Sequence, residues 1–331
     1  MNSRSLQLPA LFMFLLAVPL ARLDAQAVAP PAGIVTPAVA PMILGVVSAG
    51  TPVELLADGF EAVEGPLPQL DDGLLFTNSR MNRVLRLAPD GKLTVWFEGA
   101  GGGNGLTRTP AGDIVATMTE ARTIAVLQPG QPARPLVGDF EGTQFNRPND
   151  LVADSRGNIY FTDTASATPG GTSLPAAVYQ ITRKGKLVRI VQGVERPNGV
   201  ALSPDERTLY VANTAGEWVL AVALDRDGDA KKARNFARLA MPPPPAAGAP
   251  AVTGSGADGM AVDEKGRLYV ATAMGVQVFS DEGQPLGSIA LPKQPQNLAF
   301  SGPGRRSLFV LGRGSVYRIQ MLTRGPQRTG K

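Results

Sequence analysis

Six copies of one short pattern run along this chain, and that recurrence limits its fold more than any other feature. The pattern is a polar residue in a tight turn, a small apolar run, a second turn carrying Gly, and then a β-rich apolar run. Arg147-Pro148-Asn149-Asp150 leads through Asp154-Ser155-Arg156-Gly157 into Ile159-Tyr160-Phe161. Pro197-Asn198-Gly199 leads into Leu209-Tyr210-Val211, and Ala257-Asp258-Gly259 into Leu268-Tyr269-Val270. Asn104-Gly105 leads into Ile114-Val115-Ala116, and Glu64-Gly65-Pro66 into Leu74-Leu75-Phe76. A weaker copy, Pro295-Gln296-Asn297, leads into Leu308-Phe309-Val310. The leading polar residues recur roughly every 40–50 residues, the spacing of β-propeller blades. No long run at helical spacing separates them. One such unit cannot bury both faces of its sheet, whereas six arranged radially can, and closing the ring protects the edges. The expected fold is all-β, a six-bladed β-propeller.

In a radial array the equivalent residue of every blade lies at an equivalent place around the central channel. Here Glu64, Asn104, Asn149, Asn198 and Asp258 would converge their oxygen atoms on one axis. Hard oxygen donors in that arrangement suit Ca²⁺, which takes several oxygen ligands. The alternative reading of the same residues is local, since Asn and Asp also serve as turn residues that cap nearby backbone.

Other features set limits on the chemistry. The chain has no Cys and no His. That excludes disulfides, thiolate chemistry, His acid–base catalysis, a Ser-His-Asp triad and His-ligated metals. Carboxylates, amides, Arg, Lys, Tyr or an oxygen-held metal must carry any reaction. Arg4, the apolar run from Leu8 to Leu20 and the small residues Ala25-Gln26-Ala27 make residues 1–27 read as a secretory signal peptide. The apolar run is about 13 residues, short of the roughly 20 that span a bilayer. The expected location is therefore periplasmic or secreted, with no membrane association after cleavage. Losing Arg4, Arg22 and Asp24 with that peptide takes the net charge from +4 to +3. No Lys/Arg cluster argues for nucleic acid. Residues 28–50 read as an Ala/Pro-rich extended linker, 51–321 as the propeller, and 322–331 as a flexible tail. Within the propeller, the run from Val53 to Ala57 reads as a strand that pairs with the last blade to close the ring. The loop 164–175 and the Pro-rich insertion 241–256 read as rim loops.

Taken together, Glu64-Gly65-Pro66, Asn104-Gly105, Arg147-Pro148-Asn149-Asp150, Phe161-Thr162-Asp163, Pro197-Asn198-Gly199 and Asp258-Gly259 resemble the SMP-30/gluconolactonase, or regucalcin-like, family of six-bladed propellers. The resemblance runs from about residue 61 to residue 319. It implies one divalent cation in the central channel, Ca²⁺ first and Zn²⁺ or Mg²⁺ as alternatives. It also implies metal ligands at Glu64, Asn198 and Asp258, with Asn149 beside the metal as a ligand or substrate contact. By the same resemblance Arg147 and Asn104 contact substrate, and Asp258 acts as general base in lactone hydrolysis. Some positions depart from the family's pattern. Met118-Thr119-Glu120 stands where a Cys-Glu-His stretch is common, and Asn78 where an Asp is common.

These residue types suit that assignment. A divalent cation polarises an ester carbonyl, a carboxylate accepts a proton, and a guanidinium orients an oxygen-rich substrate. The expected function is an exported, metal-dependent lactonase-type hydrolase acting on a small lactone or ester. Two alternatives share the scaffold. One is calcium-dependent hydrolysis of organophosphate triesters, and the other is a non-catalytic binding module with a structural cation.

Overall fold

The computed structural model of the protein describes residues 38–164, 174–243, 254–327 and 330. The signal-peptide reading lies outside them, as do most of the loop 164–175 and of the Pro-rich insertion. Among the described residues no helix is long and apolar enough to cross a membrane.

Six four-stranded antiparallel sheets stand in chain order around an axis, one for each copy of the sequence pattern. Their innermost strands are Val63–Pro68, Gly103–Arg108, Pro148–Ala153, Pro197–Leu202, Met260–Val262 and Asn297–Ser301. Blades 1 to 5 each take four consecutive strands outward from the axis. Blade 6 takes its outermost strand from the start of the domain: Val53–Ala57 pairs with Ser315–Gln320 through Val53↔Ile319 and Leu55↔Tyr317. That pairing is the expected ring closure, and it ties the two ends of the repeat array together.

Apolar runs in the second strands are continuous because both faces of each blade are covered. Alternate side chains of a strand point to opposite faces. Leu74 and Phe76 pack toward blade 6, while Leu75 between them packs toward blade 2. Tyr160 packs toward blade 4, and Ile159 and Phe161 pack toward blade 2. The buried apolar residues accordingly form one cluster at each blade–blade interface.

The Gly-bearing turn of the sequence pattern has its own chemistry. Asp154 Oδ1 accepts the backbone N–H groups of Arg156 (3.0 Å) and Asn158 (2.8 Å), and Tyr160 Oη donates to Asp154 Oδ2 (3.2 Å). Blade 5 repeats the arrangement. Asp263 Oδ1 accepts from Lys265 (2.9 Å) and Arg267 (3.0 Å), and Tyr269 Oη donates to Oδ2 (3.0 Å). Burial, followed by the adjacent carboxylate, pushes both phenols well above the usual tyrosine range.

Two expectations are corrected. The described part of the 28–50 linker is not an extended spacer. Ala40, Ile43, Val46 and Val47 are buried in the cluster between blades 5 and 6. Their side chains are apolar, and they join the apolar residues of the two blades in one buried cluster. Nor is the described part of the 322–331 tail frayed. Leu322 donates its backbone N–H to the Val46 carbonyl (2.9 Å), Glu264 donates to the Arg324 carbonyl (2.8 Å), and Gly325 donates to the Arg305 carbonyl (2.9 Å). Thr323 is buried. Pro326 faces a small cavity with Ala201, Met260 and Phe300 on its wall, and Gly330 lies against the Ala153 carbonyl. The described residues of the tail thus meet residues at or next to the ends of the innermost strands in blades 6, 5, 4 and 3.

Candidate active site

The leading polar residues sit at the opposite, N-terminal ends of the innermost strands. Glu64, Asn104, Asn149 and Asn198 each occupy the second position of their strand, and Asp258 lies two residues before Met260–Val262. A ring of contacts from blade to blade fixes them. Thr77 Oγ1 donates to the Asn104 carbonyl (2.9 Å), Thr117 Oγ1 to the Asn149 carbonyl (2.5 Å) and Thr162 Oγ1 to the Asn198 carbonyl (2.6 Å). Thr214 Oγ1 donates to the Ala257 carbonyl (2.7 Å), next to Asp258. Gly259 donates its N–H to the Gln296 carbonyl (2.7 Å), and Asn297 Nδ2 donates to Glu64 Oε2 (3.0 Å), which closes the circle. None of these threonines stood out as functional in the sequence. The one signal for them is that an apolar residue followed by Thr recurs in the second strands, as Phe76-Thr77, Ala116-Thr117 and Phe161-Thr162.

The glycines that follow the leading residues are there because the inner strands approach closely. A Cβ on Gly199 would overlap the Asp258 carbonyl, and one on Gly65 would overlap the Asn104 carbonyl. Asn-Gly is therefore more than a turn signal in this chain. The local capping role belongs to other residues of the pattern. Asp150 Oδ1 accepts the N–H of Leu151 (3.0 Å) and its Oδ2 that of Val200 (3.1 Å), while Asn297 Oδ1 accepts from Leu298 (2.9 Å).

A cavity of about 660 Å³ opens over this end of the channel, and Arg147, Asn149, Asn198 and Asp258 are all on its wall. Four of the six sequence-predicted site residues therefore share one cavity. Glu64 and Asn104 are not on that wall and belong to the ring beneath it. Glu64 is 6% exposed and accepts from Asn297 and, at 3.5 Å, from Gln296 Nε2.

The donor set fits a hard cation. Asn198 gives its amide N–H to Thr214 Oγ1 (3.1 Å), and its Oδ1 is buried with no hydrogen-bond partner among the described residues. Asn104 Oδ1 is in the same state. An unpaired buried carbonyl oxygen is costly, and a cation taking oxygen ligands removes that cost. Among the described residues no group of three carboxylates gathers, and the Asn oxygen donors at this mouth of the channel are neutral amides.

Arg147 is positioned by its blade. Its backbone N–H donates to Asp163 Oδ1 (2.6 Å), and the N–H of Asn146 donates to Asp163 Oδ2 (2.9 Å). Burial pushes the Asp163 carboxyl above the usual carboxylate range even though these donors oppose the shift.

Blades closed by an N-terminal strand, with an oxygen-donor cavity at one mouth of the channel, define a closed six-bladed propeller. The sequence profile of the SMP-30/Gluconolactonase/LRE-like region matches residues 63–312, and the chain belongs to that family. A gluconolactonase from Zymomonas mobilis is 30% identical over 315 residues, covering 86% of this chain and 85% of its own. A solved gluconolactonase structure from Xanthomonas campestris superposes with a TM-score of 0.73 at 28% identity, covering 86% of this chain and 94% of that one. A regucalcin from Agrobacterium tumefaciens shares the fold, with a TM-score of 0.69 at 19% identity over 84% of this chain and 97% of that one.

Proposed function

We propose that this protein is a metal-dependent lactonase, with one divalent cation held by Glu64, Asn149, Asn198 and Asp258 and with Ca²⁺ as the first candidate. The observation that carries the reading is the buried, unpaired Oδ1 of Asn198 on the cavity that also holds Asn149 and Asp258. The gluconolactonase relatives support a lactone as the substrate class. A cation in such a site supplies Lewis-acid polarisation of an ester carbonyl.

The chain's own groups supply the rest. Arg147 and Asn149 orient the oxygen-rich substrate, and Asn104 supports the ring below them. The Asp258 carboxylate accepts a proton from the attacking water as it adds to the ester carbon. The ring C–O bond then breaks, and the proton passes to the leaving alkoxide, giving an open hydroxy acid.

Replacing the proposed ligand and base tests this directly. Asp258→Ala and Asn198→Ala are expected to lose about 100-fold or more in kcat/KM on lactones and to bind less metal while keeping an unchanged far-UV spectrum. A fully active, metal-replete Asp258→Ala/Asn198→Ala protein contradicts it. We also propose export, on the strength of residues 1–27. N-terminal sequencing of protein recovered outside the cytoplasm is expected to begin near residue 28, and a mature chain starting at Met1 contradicts it.

A further inference from the structure

We propose that the natural substrate is an anionic lactone, one that carries a carboxylate or phosphate group in addition to its ring ester. This rests on the lactonase reading above and goes beyond it in naming the substrate class. Three guanidiniums, those of Arg147, Arg196 and Arg313, stand on the wall of the 660 Å³ cavity, and Asp258 is the one carboxylate on that wall.

Two of the three come from one position repeated in adjacent blades. Arg-Pro-Asn occurs at 147–149 in blade 3 and again at 196–198 in blade 4. The two copies are pinned alike. Arg147 donates its N–H to Asp163 Oδ1 (2.6 Å), and its carbonyl accepts the N–H of Thr164 (3.2 Å). Arg196 donates its N–H to Asn213 Oδ1 (3.1 Å), and its carbonyl accepts the N–H of Thr214 (3.0 Å). The matching positions in the other blades hold Ala62, Gly102, Gly256 and Gln294, all uncharged. The positive pair is therefore confined to one side of the channel mouth. Arg313 enters from blade 6, which stands opposite blade 3 in the ring. Its N–H donates to Gln296 Oε1 (2.9 Å) and its Nη2 to Gln294 Oε1 (3.3 Å).

Among the described residues none of the three guanidiniums lies within ion-pair distance of a carboxylate. Like charges gathered on one cavity repel each other, and nothing on the wall beyond Asp258 offsets them. A neutral sugar ring offers hydroxyls, which need no such charge. A carboxylate or phosphate matches the planar fork of a guanidinium and can take two parallel hydrogen bonds from it. A cavity lined with one sign of charge also concentrates ligands of the opposite sign and speeds their capture.

The test compares three lactones of one ring type: neutral gluconolactone, its 6-phosphate, and a glucarolactone bearing a 6-carboxylate. Each is assayed with the full chain at low and high salt, beside Arg196→Gln and Arg313→Gln. Binding of the ring-opened acids is measured by calorimetry in parallel. A charge-assisted hydrogen bond corresponds to about tenfold or more in affinity. One of the anionic lactones should therefore exceed the neutral one by at least about tenfold in kcat/KM, chiefly through KM, and the advantage should shrink with salt. In Arg196→Gln the ratio between the two should collapse toward one. Whichever anion is favoured identifies the group. Equal kcat/KM for neutral and anionic lactones in the unmodified protein overturns the inference and leaves the lactonase reading standing. If no lactone is hydrolysed, the lactonase reading falls and calorimetry decides the inference separately. Tighter binding of the 6-phosphate or 6-carboxylate acid than of gluconate upholds it, and equal binding overturns it.

Discussion

Gly199 and Thr162 support the candidate site from outside its cavity wall. Gly199 lets the backbone of blade 4 pass beneath the Asp258 carbonyl. Gly199→Ala forces a Cβ against that carbonyl and should destabilise the fold by about 1–3 kcal/mol or more, read by urea denaturation. Thr162 Oγ1 donates to the Asn198 carbonyl and accepts the N–H of Asp150 at 3.1 Å. Thr162→Val keeps the volume but strands both groups, at a cost of about 1–3 kcal/mol. A lower kcat/KM is expected with it, recovered by Thr162→Ser, which retains the hydroxyl. Recovery of stability without recovery of activity would show that the hydroxyl does not position Asn198. At this scale the sequence was legible where one residue type recurs in one place. The leading Glu, Asn and Asp residues and their glycines stand out for that reason. The threonine hydroxyls do not, because Thr is also an ordinary strand residue and only the neighbouring blade shows what it bonds to. Arg196 is in the same position. Its equivalence with Arg147 could be read from the repeated Arg-Pro-Asn, but its place on the shared cavity wall depends on how adjacent blades are set around the axis.

Blades behave as elements because each buries both faces against its neighbours. That is why their strands were readable as apolar runs between Gly-bearing turns, and why Val53–Ala57 could be assigned to ring closure before its partner was known. The segments at the two ends carry no such signal. Ala40, Ile43, Val46 and Val47 have no strand or helix period to mark them, and their burial depends on the apolar faces of blades 5 and 6. The tail after Met321 is polar and basic in composition. Its order comes from backbone hydrogen bonds to Val46, Glu264 and Arg305, which composition does not report. Removing residues 322–331 should cost about 3 kcal/mol, taking about 1 kcal/mol for each of these three bonds. In a domain of this size that is a fall in Tm of roughly 5 °C. Calorimetry of the truncated protein checks it, and an unchanged Tm would mean that the tail lies on the surface without holding it together.

For the whole molecule, the ring gathers oxygen donors that no single blade could. Thr77, Thr117, Thr162, Thr214, Gly259 and Asn297 carry the contacts from blade to blade. The result is a cavity with Asn149, Asn198 and Asp258 on its wall and Glu64 within the ring below. With no His and no Cys in the chain, the proposed reaction rests on this oxygen set and the arginines around it. On the proposed function, a cation held there is required for lactone hydrolysis. The most direct test is hydrolysis of a small lactone panel by the purified protein, first after chelation and then after adding back Ca²⁺, Zn²⁺ or Mg²⁺ one at a time. Activity should vanish with the chelator and return with one cation, Ca²⁺ foremost. Undiminished turnover in protein shown to be metal-free would contradict the claim.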